Sequence, residues 1–194
     1  EAELLKRHEK GTFLMGICGG FQMLGKSLSD PEKTEDGGTL RGIGLLDMET
    51  VFRTRKRRTQ ISGTTVSLPG ILQPLSGCSL DGYEIHMGET QYIGNGTPFA
   101  VLEDGRADGC ASMDGTVCGT YLHGVFDAPA FAGKLVQLLL DKKGISAAAV
   151  PELDFTARKE QEYEKLAALL RENLDMRQIY AIINNWGKTD ETSA

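Results

Sequence analysis

Residues 12–17, Thr-Phe-Leu-Met-Gly-Ile, form a short apolar run bounded by glycines, the pattern of a strand buried in a parallel sheet. Cys18 follows, and beyond it Phe21, Leu24 and Leu28 recur three and four residues apart, the spacing of one helix face. The local plan is strand, sharp turn at Cys18, helix. From Ile43 to about Tyr92 the pattern turns to β, with strands predicted over 45–52, 64–68 and 82–88 and glycines and prolines marking the turns. Short strands are predicted near 99–102 and 109–113, and a buried one over 117–122 that ends at His123-Gly124. Helices take over afterwards. Pro129 suits a helix first turn, and Phe131, Leu135, Leu138 and Leu139 make one stripe through 129–141. Thr156 is a suitable N-cap for a helix over 157–174, with Tyr163, Leu166, Leu169 and Leu170 apolar, and a last short helix spans 176–183. The polar stretch 187–194 reads as a disordered tail.

This alternation predicts an α/β fold: a mainly parallel sheet flanked by helices, with β-hairpins inserted between Cys18 and His123. At 194 residues the chain suits a single domain, taken as 1–186. Glycine makes up 24 of 194 residues, about 12%, against a usual value of about 7%, which fits an enzyme with many tight turns. The net charge of −6 argues against non-specific nucleic-acid binding, and no apolar run approaches the roughly 20 residues of a membrane span. The expected setting is cytoplasmic. The run Arg53-Thr54-Arg55-Lys56-Arg57-Arg58 reads as a solvated hairpin tip, with an anion-binding patch as the alternative. The opening Glu1-Ala2-Glu3-Leu4-Leu5-Lys6-Arg7 looks like the middle of a helix, so an N-terminally truncated fragment is expected.

Cys18, Cys78, Cys110 and Cys118 contain no C-x-x-C pair and read as reduced thiols, with no metal site expected. Cys18 is different from the rest. A nucleophile between a buried strand and a helix needs small neighbours, and Gly16, Gly19 and Gly20 supply them. The helix N-terminus would favour the thiolate, and the Gly19 N–H would point into an oxyanion hole. A thiolate nucleophile also needs a proton-transfer partner. Of the three histidines, His8 lies in a polar, surface segment and His86 within a strand. His123 stands, like Cys18, at a strand's carboxyl end, where open α/β sheets bind ligands, and is the better partner.

Gly16-Ile17-Cys18-Gly19-Gly20-Phe21-Gln22 resembles the G-x-C-x-G-x-Q elbow of class I glutamine amidotransferases, whose fold is flavodoxin-like. More narrowly, Gly82-Tyr83-Glu84-Ile85-His86-Met87-Gly88 and Gly119-Thr120-Tyr121-Leu122-His123-Gly124-Val125-Phe126-Asp127 are similar to blocks of the cobyric acid synthase family. The segments at 155–159 and 174–176 are similar to that family's C-terminal helices. The resemblance implies that Cys18 attacks the glutamine carboxamide, Gly19 N–H stabilises the oxyanion and His123 relays protons. It also implies that Gln22 holds the substrate glutamine and that Tyr83, Glu84 and His86 line the cleft. Class I enzymes usually carry a glutamate two residues after the histidine, where this chain has Val125, so a Cys–His dyad is expected.

The resemblance further implies an upstream synthetase domain that uses ATP and Mg2+ to amidate a corrinoid, adenosylcobyrinic acid a,c-diamide. No P-loop sequence is present and no cofactor is expected in this chain, which alone should be a poor glutaminase. The alternatives are the glutaminase domain of cobyrinic acid a,c-diamide synthase or another amidoligase, and a non-catalytic docking fragment.

Overall fold

The computed structural model describes residues 1–146 and 155–186, which belong to two compact units, Glu1–Leu153 and Asp154–Ala194. The first unit opens with α1 (Ala2–Glu9), β1 (Leu14–Ile17) and α2 (Gly19–Leu24), the predicted strand–turn–helix. Then come β2 (Ser27–Asp30), β3 (Gly38–Arg41), the long β4 (Met48–Thr65) and β5 (Ser79–Tyr92). The short strands β6 (Ala100–Leu102), β7 (Ala107–Asp108), β8 (Cys110–Ala111), β9 (Val117–Thr120) and β10 (Leu122–His123) follow, and α3 (Pro129–Lys142) closes the unit. The second unit contains α4 (Phe155–Asn173) and α5 (Met176–Asn185), whose N-cap Asp175 accepts the Gln178 N–H. The predicted tail, 187–194, and the Thr156 side chain lie outside the described residues.

Two sheets share the first unit. One has three strands in the order β1-β9-β8, with β1 and β9 parallel. The other has seven, with the path β10-β5-β4-β2-β3 and β6 and β7 attached through β4. The α/β class holds. Parallel pairing among the described strands is confined to β1–β9 and β2–β4, however, because the hairpins expected as insertions form a sheet of their own. Two predicted strands, 45–52 and 64–68, belong to one ribbon, since β4 runs 18 residues beside β5.

The predicted strand 117–122 divides at Tyr121. Residues Val117–Thr120 pair with β1, and Leu122–His123 pair antiparallel with β5, so the chain changes sheets there. Apolar packing follows the same division. Phe21, Leu24, Met48, Val117 and Tyr121 form one cluster; Leu72, Leu80, Phe99, Leu122, Val125 and Phe131 belong to a larger one. Helix α3 is amphipathic as predicted, burying Phe131, Leu135 and Leu138.

Close packing of α2 on β1 fixes the residue at position 16. A Cβ on Gly16 would lie 2.7 Å from Gly20 backbone atoms and from Phe21 Cα, whereas one on Gly133, inside α3, would meet nothing within 4 Å. Opposite outcomes are therefore expected. Gly16→Ala should lose about 1–3 kcal/mol through overpacking, and Gly133→Ala should gain about 0.5–1 kcal/mol through helix propensity. Urea titrations check both, each as a shifted midpoint with an unchanged slope.

Candidate active site

Cys18 is the N-cap of α2 and has φ 52° and ψ −114°, a left-handed conformation costly for a residue with a Cβ. Backbone bonds hold it there. Its N–H donates to Thr120 C=O at 2.9 Å, and its own carbonyl accepts the Gln22 N–H at 3.0 Å. Its Sγ lies 3.5 Å from the Ile85 carbonyl. Gly19 is exposed, and as the first residue of α2 its N–H has no intrahelical acceptor. Of the three elbow glycines, packing demands only Gly16; Gly19 and Gly20 leave open space on the other side of the turn.

Cys78, Cys110 and Cys118 are buried, whereas Cys18 is half-buried. Burial pushes the Cys110 thiol up to about 11 and raises that of Cys118 further, which suits both to packing.

His123 reaches the site from the other sheet. Its backbone pairs with Tyr83 on β5, and its ring stacks on the Tyr83 ring with centroids 5.2 Å apart and planes 4° apart. Its Nε2 is buried with no hydrogen-bond partner. Close approach dictates the residue before Tyr83: a Cβ on Gly82 would collide with the His123 carbonyl oxygen. Val125, where a class I enzyme would have its glutamate, is wholly buried in the larger apolar cluster. A carboxylate there would have to be desolvated among apolar side chains.

The crossing at Tyr121 is built from polar groups that the sequence did not single out. Asp108, almost fully buried, accepts from the Thr120 hydroxyl and, at 3.1 Å, from the Tyr121 N–H. The Thr120 hydroxyl oxygen in turn accepts the Leu122 N–H at 2.9 Å. Burial pushes the Asp108 carboxyl up, partly offset by these bonds. Tyr121 packs edge-on against Phe21, and its hydroxyl shares a 2.7 Å bond with Thr90 and accepts from Gln22 Nε2 at 3.3 Å. Gln22 is thus a buried residue beneath the elbow.

Glu84 and His86 project from β5 into a buried charged cluster. Arg106, from the turn between β6 and β7, grips the Glu84 carboxylate with both terminal nitrogens, at 3.0 and 2.6 Å. His86 Nε2 lies 3.3 Å from the same carboxylate, its Nδ1 lies 2.8 Å from the Gly88 carbonyl, and its ring stacks on Tyr121 at 3.8 Å. Burial alone would raise the Glu84 carboxyl. The bonds from His86 and Arg106, with the guanidinium charge, outweigh that and hold it at about 2. Arg106 carried no sequence signal, being one cation in a polar turn.

The basic run is not at a hairpin tip. It lies inside β4, where the register with β5 jumps from Phe52↔Gly88 to Arg57↔His86, so 53–56 bulge opposite Met87 alone. Arg53 pairs with Glu32 and Glu89; Arg55, Lys56, Arg57 and Arg58 make no ion pair within the described residues and line a cleft of about 480 Å3 with His86 and Arg106.

A strained cysteine at a strand-to-helix turn and a histidine with a free ring nitrogen, both against β5, are equipment suited to thiol-based acyl transfer. The sequence matches the CobB/CobQ-like glutamine amidotransferase domain over residues 1–131, and the chain belongs to that family. A cobyric acid synthase of Thermoanaerobacter sp. (strain X514) is 39% identical over 195 residues, covering 96% of this chain and 38% of that protein. One of Dehalococcoides mccartyi (strain BAV1) is 41% identical over 187 residues, covering 93% of this chain and 36% of that protein. The chain thus spans little more than a third of the length of these relatives. Among solved structures, that of PurLQS from Thermotoga maritima shares the fold, with a TM-score of 0.52 and 18% identity over 73% of this chain and 66% of that one.

The Glu84 carboxyl sits below its usual value of 4.5, so its bonds stabilise the fold fully above about pH 4.5 and are lost as pH falls toward 2. Glu84→Gln should flatten that part of the stability profile, as followed by thermal unfolding between pH 7 and 2.5. Arg106→Ala should cost about 3 kcal/mol at pH 7, the low end for breaking a buried pair because the Arg106 side chain is 32% exposed; chemical denaturation measures it.

Proposed function

We propose that this chain is the glutaminase part of a cobyric acid synthase, hydrolysing glutamine to supply ammonia for an amidation carried out elsewhere in the same polypeptide. One observation carries the reading: Cys18, held at φ 52°, and His123, with a buried, partnerless Nε2, both lie against residues 83–85 of β5. The Cys18 thiolate attacks the side-chain carbonyl carbon of glutamine, and the Gly19 N–H stabilises the oxyanion that forms. As the C–N bond breaks, His123 gives its proton to the departing ammonia. Water then attacks the glutamyl thioester while His123 takes up a proton, and glutamate leaves. Gln22 and Tyr83 contribute to holding the substrate, and Glu84 and His86 form part of the wall of its cleft.

In this reading the ammonia meets a corrinoid carboxylate, that of adenosylcobyrinic acid a,c-diamide, activated with ATP and Mg2+ by a cytoplasmic synthase. The names of the relatives favour this substrate over cobyrinic acid. The glutaminase step needs no metal or cofactor in this chain.

Measurement of both nitrogen sources in the full-length synthase tests the assignment. Cys18→Ala and His123→Ala should each abolish glutamine-driven amidation, by roughly 10^3-fold or more, and leave ammonia-driven amidation within about twofold of the parent. An equal collapse of ammonia-driven amidation would refute the roles of Cys18 and His123.

A further inference from the structure

Strand β5 touches both members of the dyad, and from Ser79 to His86 its backbone pairs without a break with β4. On one side β10 pairs with it at only two positions, Leu122↔Glu84 and His123↔Tyr83. On the other side the β4 ladder breaks immediately beyond His86, where residues 53–56 bulge. The ladder sets the register as far as His86 and is interrupted beyond it, so side chains must hold that end of the segment in place. Residues Tyr83 and Ile85 meet His123 and Cys18, the former by ring stacking and the latter through its carbonyl. Glu84 and His86, at the alternate positions, enter the cluster with Arg106 and Tyr121.

We propose that Arg106 is a positioning residue of the glutaminase site: its two-pronged grip on Glu84 holds the end of the paired segment of β5 where Ile85 stands against Cys18 and Tyr83 against His123. The inference rests on the glutaminase reading above. Arg106 acts through Glu84. Each terminal nitrogen gives one N–H to the Glu84 carboxylate, and Nε gives its own to Asp104 at 2.6 Å, so three of its five N–H donors are engaged within the protein. Glu84 is 1% exposed, and a charge so buried is tolerated only where partners meet it in one geometry, which makes the pair selective for one placement of this segment. His86 extends the lock by bonding across the bulge to Gly88 and stacking on Tyr121, where the chain changes sheets. A lysine cannot reproduce the two parallel bonds.

The test uses the full-length synthase with a glutamine-analogue electrophile that alkylates the glutaminase cysteine, comparing parent and Arg106→Lys by mass spectrometry over time. Misfolding reduces the labelled amount, whereas mispositioning reduces the rate constant at full labelling. The expected result is complete labelling of Cys18 with a limiting rate constant lower by about 10- to 100-fold, and half-saturation by the analogue within about threefold of the parent. Should Arg106→Lys not fold, Glu84→Gln, which keeps the carboxylate's shape, should show the same loss. An unchanged limiting rate would overturn the proposal, and so would a large rise in half-saturation alone, which would make Arg106 a substrate ligand. If the parent enzyme itself goes unlabelled at Cys18, the glutaminase reading fails first.

Discussion

Between Thr120 and Leu122 the chain leaves one sheet and enters the other, and the buried carboxylate of Asp108 holds that crossing. Neither sheet ladder can satisfy the Tyr121 N–H at such a point, and an unsatisfied buried donor costs about 1–3 kcal/mol. Asp108 accepts it, and the Thr120 hydroxyl, anchored on the same carboxylate, accepts the next N–H along the chain. The strand that leads to Cys18 pairs with the segment before the crossing, and His123 lies in the segment after it. Shifting that point by one residue would move His123 relative to Cys18 and turn the wrong face of β10 to β5.

The strained elbow depends on the same place. Cys18 keeps a left-handed backbone, worth about 1–3 kcal/mol of strain, because Thr120 accepts its N–H and α2 packs against β1 without a Cβ at Gly16. Tyr121 links the two halves: one face of its ring stacks on His86, its edge meets Phe21 of the elbow helix, and its hydroxyl receives Gln22. The site is a junction between two sheets, and the buried polar groups around it fix how the sheets meet.

Much of this was legible in the sequence. The apolar run before Cys18, the helical spacing after it and the glycines of the elbow are local signals, and they placed β1 and the start of α2, although the helix ends at Leu24 and Leu28, counted on its face, lies in β2. Helix α3 followed from its stripe, whereas the Asp175 cap of α5 is visible only in the structure. Sheet membership was not legible, because a continuous apolar run such as 117–122 looks the same whether it stays in one sheet or crosses to another. The basic run was misplaced for a related reason: bulges are set by register with a partner strand, which a single sequence does not state. Arg106 and Asp108 gave no signal because their importance lies in contacts with residues 22 and 12 positions away. Gln22, Glu84 and His86 stand in motifs shared with the family, but their engagement with Tyr121 and Arg106 is visible only in three dimensions.

If the site is a glutaminase, Cys18 must be a glutamine-directed nucleophile served by His123. The most direct measurement is the site of modification when the full-length protein is treated with a glutamine-analogue electrophile in the presence and absence of glutamine. Modification of Cys18 alone among the four cysteines, with protection by glutamine and marked slowing in His123→Ala, is the expected result. Modification that spares Cys18, or that ignores both glutamine and His123, would contradict it.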